Sequence, residues 1–268
     1  MLKITSRDNQ KLKNARKVRD GNVEDLIFVE GLRLCEEVLR SNLKIDEIFF
    51  TESFTKNVRE AEFLAKLSAK NIAVAEVSNK IFDSLADTKT SQDIVFICQK
   101  PESSRRRIES SWKKNKREFP LVVLLHKINN PVNLGAILRT CEAVGVSGVI
   151  LTNNSADAFS PKALRGAMGA SFRLPIWEHA DFFEAVRWAK VKNLVSVCAD
   201  INAKKNYLEI DWKKPRLLIF GSEAHGLSAE ERATVDESLV IPMENGVESL
   251  NLAVSCGVIL FEARKVKR

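Results

Sequence analysis

Several features that often reveal a protein's function are scarce or absent in this sequence. Its 268 residues include three histidines and five cysteines, and the histidines are too few and too scattered for a recognisable metal site. The cysteines form no Cys-x-x-Cys pair and lie mostly within apolar runs, which indicates reduced, buried thiols. No apolar run reaches membrane-spanning length, and the basic N-terminus has no signal-peptide core. We therefore expect a soluble, cytoplasmic protein with no membrane partner and no metal.

The two commonest nucleotide-binding fingerprints are also missing, because neither Gly-x-Gly-x-x-Gly nor a Walker A sequence occurs. What is present is an ordinary globular composition, with 45% hydrophobic and 29% charged residues. The net charge is +7, which favours an anionic partner such as nucleic acid. A charge of that size is only a weak indication by itself.

The order of apolar runs predicts two α/β units joined by a basic segment. Residues 1–100 alternate short strands with helical stretches, which is typical of a small α/β domain. Residues 101–118 are polar and rich in arginine and lysine, and we interpret them as a linker. Residues 119–268 contain continuous apolar strands such as Leu121–Leu125 and Arg216–Phe220. Such strands are covered on both faces, so this domain is predicted to hold a mostly parallel sheet with helices on both sides.

Two basic stretches have alternative interpretations. Residues 6–19 predict a mostly charged helix, which is either a solvated face or an arm that binds phosphates. Trp112 lies among lysines in the predicted linker. It could stack on a base, but we favour packing against a domain face.

Three loops of the second domain could build a ligand site, since parallel sheets bind ligands at the carboxyl ends of their strands. The first, Asn129–Gly135, leads into a helix that carries Arg139. The second, Gly221–Leu227, places two glycines around Glu223. In the third, Pro242 ends a strand and Ser249 is predicted to cap an apolar helix. Taken singly, each loop is also explained by a tight turn or a simple cap.

Together these loops resemble a known family. The segments NNPVNLGAILRTCEAVG, LLIFGSEAHGLS and IPMENGVESLNLAVSCGVILFE resemble, in order and spacing, the three motifs of the SpoU (TrmH) RNA ribose methyltransferases. SPKALRGAMGASFRLPI is similar to the sequence between the family's motifs. The N-terminal unit resembles the ribosomal-protein-like RNA-binding domain of many members. Two departures, Asn130 and Ser255, do not fall on residues assigned to chemistry.

The resemblance implies a fold and a cofactor. The C-terminal domain would contain a deep trefoil knot, an exception to the rule that chains do not thread. S-adenosylmethionine would bind in that knot. The residues implied in holding it are Phe220, Gly221, Ile241, Leu250 and Ala199, the last with Asp200 beside it.

The reaction implied is transfer of a methyl group to a ribose 2′-hydroxyl of RNA. The residues implied at the reacting centre are Arg139, Asn133, Glu223, Ser249 and Asn251. Because a guanidinium keeps its proton, we expect Arg139 to hold a phosphate and stabilise developing negative charge, with Glu223 orienting it.

The same resemblance implies a structured RNA substrate and a homodimer formed through the catalytic domain, in which Arg139 could act across the interface. Large-subunit (23S-type) ribosomal RNA is favoured, because the additional N-terminal domain suits a structured target. Transfer RNA is the alternative substrate. A non-catalytic RNA-binding protein with the same fold is a further alternative, disfavoured because the polar residues of all three motifs are present.

Overall fold

The computed structural model describes residues 2–56, 58–68, 72–115 and 120–265. By their packing, the residues form two compact units. The first comprises Met1–Pro101 with Phe159–Phe172, and the second comprises Glu102–Ala158 with Arg173–Arg268. The last part of the predicted linker, residues 116–118, lies outside the described residues.

Residues 2–101 of the first unit form a five-stranded sheet in the order β1-β4-β3-β5-β2. Its elements are β1 (Leu2–Ile4), α1 (Gln10–Arg19), β2 (Leu26–Glu30), α2 (Leu32–Arg40), β3 (Ile45–Thr51), α3 (Val58–Ser68), β4 (Val74–Val77), α4 (Asn79–Leu85) and β5 (Ile94–Gln99). The β5 strand runs antiparallel to both of its neighbours, whereas β4 is parallel to β1 and β3. A buried apolar core with Phe28, Phe49 and Phe82 holds helices α1 and α4 against this sheet.

The remaining elements follow in chain order: α5 (Arg105–Asn115), β6 (Leu121–Leu125), α6 (Pro131–Val144), β7 (Gly148–Thr152), α7 (Pro161–Ala167), α8 (Ala170–Arg173), β8 (Ile176–Ala180), α9 (Phe182–Val191), β9 (Val195–Ala199), β10 (Arg216–Phe220), α10 (Ala229–Ala233), β11 (Glu237–Leu239) and α11 (Leu252–Lys265). The α7 helix packs with the first unit. There Arg165 forms an ion pair with Asp87 at 2.8 Å.

The charged helix α1 uses much of its charge inside the first unit. Arg19 donates to the carbonyl oxygens of Ser84, Leu85 and Ala86. Lys11 pairs with Glu47 at 2.6 Å. Because these cations already have protein partners, α1 is in large part a structural element, and the phosphate-binding interpretation loses much of its basis.

The basic segment predicted as a linker contains a packed helix. Ile108 of α5 is fully buried, and a Cβ added to Gly148 would lie 2.8 Å from its side chain. Trp112 contacts Trp188 with ring centroids 5.5 Å apart. The two apolar residues are four apart and therefore face the same side of the helix. Trp112 thus packs against its own unit, as the favoured interpretation has it.

The second unit is built on a six-stranded sheet in the order β11-β9-β10-β6-β7-β8, and every neighbouring pair is parallel. Strands β6, β7 and β10 are buried throughout. Continuous runs of Val, Leu and Ile suit such buried strands, because helices cover both faces of the sheet. The mixed α/β architecture predicted from the sequence is confirmed. The sequence did not predict β8, whose residues include the polar Glu178 and His179.

The central strands set the position of the ligand cavity. Phe220 at the end of β10 is in register with Leu125 at the end of β6, and the next amide, of His126, donates to the Phe220 carbonyl at 2.9 Å. From β6 the chain continues to β7 on one side, whereas from β10 it continues to β11 on the other. A sheet whose connections diverge in this way leaves a crevice at the carboxyl ends of the two strands.

Candidate active site

A cavity of about 550 Å³ lies at the carboxyl ends of β9, β10 and β11. Its volume falls in the range of about 300–1,000 Å³ that small-molecule sites occupy. All five residues predicted to hold a cofactor line it, as do four of the five predicted at the reacting centre: Ala199, Phe220, Gly221, Ile241, Leu250, Asn133, Glu223, Ser249 and Asn251. Arg139 is not among the lining residues.

The first loop positions Asn133 in the opening turn of α6. Asn130 caps the helix by accepting from the Val132 amide at 2.9 Å, and Pro131 occupies the first helical position. Proline suits this position because the first turn of a helix does not need its amide hydrogen. Aspartate and asparagine cap helices comparably, so the departure from the family motif at Asn130 still provides a helix cap. The helix ends at Gly145, which adopts a left-handed conformation.

The second loop is a tight turn that returns the backbone to its own start. Ser222 and Gly226 exchange two backbone hydrogen bonds of 3.1 and 2.9 Å, and the Ser222 hydroxyl accepts from the His225 amide at 3.2 Å. A Cβ at Gly221 would lie 2.4 Å from the carbonyl carbon of Gly226. Only glycine permits this approach, so the turn holds Glu223 and backbone groups against the cavity.

The third loop differs from the sequence-based expectation at its end. The last helix begins at Leu252 and not at Ser249. Its cap is Asn251, whose side chain accepts from the amides of Ala253 and Val254 at 2.9 and 3.3 Å. Ser249 is an exposed residue of the loop and lines the cavity. Asparagine and serine cap helices comparably, so the sequence alone does not distinguish the two positions.

A chain of side-chain hydrogen bonds joins the three loops. The Asn251 amide donates to Asn133 Oδ1 at 3.2 Å, and the Asn133 amide in turn donates to Glu223 Oε1. The two helix starts and the glycine turn thereby fix one another's side chains. The Glu223 carboxylate keeps its second oxygen for another donor, so a hydroxyl placed beside it would be bound and oriented.

Arg139 lies apart from this network. It is exposed on α6, and within the described part of the chain its guanidinium has no hydrogen bond or ion pair. The expectation that Glu223 orients Arg139 is therefore wrong within one chain, because Glu223 is bound to Asn133 instead. The resemblance implies both residues in one site, but Glu223 lines the cavity and Arg139 does not.

The cavity lining also includes Arg232 and Cys198, two residues that the sequence did not single out. Arg232 of α10 pairs with Asp200 at 2.7 Å, and both line the cavity. Cys198 also contributes to the lining; burial, with Asp200 nearby, raises the pKa of its thiol to about 11. The thiol therefore stays protonated and unreactive near neutral pH. An ion pair across sequence-distant elements leaves no local pattern that could have predicted it.

The second unit combines a parallel sheet with a cavity of about 550 Å³ and a polar rim at the carboxyl ends of its strands. These features define an α/β protein that binds a small molecule and can carry out chemistry next to it. The chain belongs to the SpoU rRNA Methylase family, whose model matches residues 120–261. Residues 28–104 match the model for RNA 2'-O ribose methyltransferase substrate binding.

Individual relatives agree with this assignment. The chain is 27% identical over 267 residues to the 23S rRNA (guanosine(2553)-2'-O)-methyltransferase RlmP of Bacillus subtilis (strain 168), covering 98% of this chain and 100% of the relative. It is 35% identical over 168 residues to a tRNA (guanosine(18)-2'-O)-methyltransferase of Thermus thermophilus, covering 62% and 84% respectively. The crystal structure of an AdoMet-bound rRNA methyltransferase from Sinorhizobium meliloti superposes with a TM-score of 0.82 at 29% identity, over 98% of this chain and 97% of that one.

In the ranges that the structure describes, no three His, Cys, Asp or Glu side chains are grouped as a metal would require. None of the helices in the same ranges has the length and apolarity needed to span a bilayer.

Proposed function

We propose that this protein transfers a methyl group from S-adenosylmethionine to a ribose 2′-hydroxyl of large-subunit ribosomal RNA. The observation that carries the proposal is the cavity itself, because one site brings together backbone and apolar groups for the cofactor and the linked polar side chains of three separate loops. The full-length similarity to a 23S rRNA methyltransferase supports the choice of ribosomal RNA.

The residues present fit the cofactor. Leu239, Ile241 and Leu250 offer apolar surface to an adenine ring, while the turn beginning at Gly221 offers backbone groups. When bound, S-adenosylmethionine supplies an electrophilic methyl group on a sulfonium. The knotted path of the chain through this region is part of the proposal.

Asn133, Glu223 and Asn251 are assigned to positioning the ribose. Their mutual hydrogen bonds hold each side chain in one orientation before substrate binds. A pre-organised acceptor such as Glu223 can fix the 2′-hydroxyl in line with the methyl group, and holding reactants in line removes much of the entropic barrier. Ser249, exposed at the rim, offers a further hydroxyl to the ribose or its phosphate.

Arg139 is assigned to the adjacent RNA phosphate, from the partner subunit of a homodimer. Its guanidinium is exposed and has no partner within the described residues. Arginine suits phosphate because its planar fork stays charged and donates two hydrogen bonds at once. In a homodimer, the second copy of the chain would bring its Arg139 guanidinium to a cavity that contains no Arg139 in the single chain.

The dimer surface is assigned to the exposed apolar face of α6 and α11. Val132, Val254 and Phe261 are 59%, 52% and 49% exposed, and the last two lie seven residues apart on the same side of α11. Exposed apolar side chains grouped on two packed helices are typical of a protein–protein interface.

Five free, buried cysteines support a reducing, cytoplasmic compartment.

The dimer is tested by Val254→Glu, which places a charge in the proposed interface. Light scattering should show a monomer, and methyl transfer should fall together with dimerisation. Val191→Glu is the matched control, since Val191 is 78% exposed on α9 and outside the proposed surface. A Val254→Glu protein that remains dimeric contradicts the assignment of this face.

The reaction is tested by transfer of labelled methyl from S-adenosylmethionine to unmodified large-subunit ribosomal RNA and to bulk transfer RNA. We expect label in ribosomal RNA as 2′-O-methylribose, and loss of about two orders of magnitude or more in Arg139→Ala. Arg187→Ala, another exposed arginine, should retain activity. Label confined to transfer RNA would show that transfer RNA, and not ribosomal RNA, is the substrate. Cofactor binding without any methyl transfer would favour a non-catalytic RNA-binding role.

A further inference from the structure

One carboxylate lies beside the apolar part of the cavity. Asp200 follows β9, and its backbone amide donates to the carbonyl of Leu239 at 2.9 Å. It therefore lies directly beside the end of β11, next to the apolar residues assigned above to the adenine. A charged group in such a place loses hydration and requires hydrogen-bonding partners in compensation.

The protein supplies only part of that compensation. Asp200 Oδ2 lies 2.7 Å from Arg232 Nη1, and 10% of the Asp200 side chain remains exposed. Asp200 Oδ1 accepts from the Asn202 amide at 2.9 Å. An ionised carboxylate has about four acceptor positions, so roughly two remain. Because Asp200 lines the cavity, a bound ligand can use them.

The chemistry that fits these remaining positions is a pair of hydroxyl donors. A ribose attached to an adenine carries two adjacent hydroxyls, and a carboxylate at the carboxyl end of a parallel strand is well placed to accept from them. An ion pair that served only to fasten the loop after β9 to α10 would have no need to border the cavity.

We propose that Asp200 binds the ribose of the cofactor by accepting hydrogen bonds from its hydroxyls, and that Arg232 is the positioning residue that holds the Asp200 carboxylate. This inference rests on the proposed cofactor. Arg232 is suited to the role because its guanidinium also donates to the Leu227 carbonyl at 3.3 Å, which anchors it to the start of α10.

The test measures affinity of the full chain for S-adenosylhomocysteine and for its 2′,3′-dideoxy analogue by calorimetry. In the wild type, removing the hydroxyls should weaken binding by about tenfold to a hundredfold, as expected for hydrogen bonds to a charged acceptor. Asp200→Asn should weaken binding of S-adenosylhomocysteine similarly and should barely distinguish the two ligands. Arg232→Gln should give a smaller loss in the same direction. Glu230→Gln, which removes an exposed charge of α10, is the control and should behave as wild type.

The outcomes separate this inference from the one on which it rests. A wild-type protein that binds both ligands equally overturns the ribose assignment without any variant. A folded Asp200→Asn protein that retains wild-type affinity, or that still discriminates the ligands as fully as wild type, overturns it as well. If the wild type binds neither ligand, the proposed cofactor itself is wrong, and the ribose assignment falls with it.

Discussion

Replacing Gly221 by alanine tests how closely the glycine turn folds back on itself. The new Cβ would lie 2.4 Å from the carbonyl carbon and 2.7 Å from the Cα of Gly226, where ordinary contacts begin near 3.4 Å. Because these are backbone atoms, only movement of the turn relieves the overlap. That movement would break the two hydrogen bonds that Ser222 and Gly226 exchange. At about 1 kcal/mol each, their loss lowers the free energy of unfolding by about 2 kcal/mol.

Gly226→Ala is the matched control within the same turn. No atom lies within 4 Å of a Cβ placed there, but its φ of +61° is unfavourable for alanine. Strain of that kind costs about 1 kcal/mol. Thermal unfolding should therefore show a fall in Tm of about 4–8 °C for Gly221→Ala and about half of that for Gly226→Ala. Affinity for S-adenosylhomocysteine should fall further in Gly221→Ala. If that variant keeps the wild-type Tm and affinity, the close approach at this turn is refuted.

Substitutions at three other places in the structure have expected outcomes. Burial lowers the imidazole pKa of His126, so the unfolded chain takes up the proton first and stability falls as the pH drops below about 6.5; His126→Asn should flatten that part of the Tm–pH curve. Arg216, 2% exposed, pairs with Glu237 at 2.5 Å, and Arg216→Met should cost about 1–3 kcal/mol at pH 7 in denaturant unfolding, because Glu237 keeps its ion pair with Lys205 at 2.6 Å. Burial raises the pKa of Glu237, but hydrogen bonds outweigh this effect and leave the pKa below its ordinary value. The stability due to this carboxylate should therefore disappear as the pH falls through the acid range. A Glu237→Gln protein should lack this part of the pH dependence. Gly148→Ala places a Cβ 2.8 Å from Ile108 and should cost about 1–3 kcal/mol, and a double variant with Ile108→Ala should be less unstable than the sum of the two single changes.

The strands of the second unit could be predicted because burial on both faces leaves a direct mark on the sequence. The run predicted at Leu121–Leu125 is β6 with the same bounds, and Arg216–Phe220 is β10. The β8 strand carries no such mark. Its Glu178 is buried and accepts from the Ala158 amide at 3.3 Å, so a tertiary hydrogen bond compensates a residue that strand patterns exclude.

The candidate site could be predicted only in part, because several of its contacts depend on the tertiary structure. Motif spacing led to the residues that surround the cavity, since each follows a strand whose position the sheet fixes. It could not locate the cap at Asn251, because competing caps differ in loop geometry that the chain path determines. It also could not show that Glu223 binds Asn133, a contact between residues 90 positions apart. The charge of the basic segment predicts a linker, whereas the spacing of Ile108 and Trp112 indicates a packed helix.

The first unit is completed by residues 159–172, which are separated from Pro101 by the opening elements of the second unit. During synthesis on the ribosome, the N-terminal sheet therefore emerges well before the α7 helix that packs with it. At roughly 5–20 residues per second, the gap lasts several seconds. Until then Asp87 lacks the arginine that pairs with it in the finished protein. The N-terminal unit thus reaches its final form only after translation has passed well into the methyltransferase region, and the two units mature in an interleaved order.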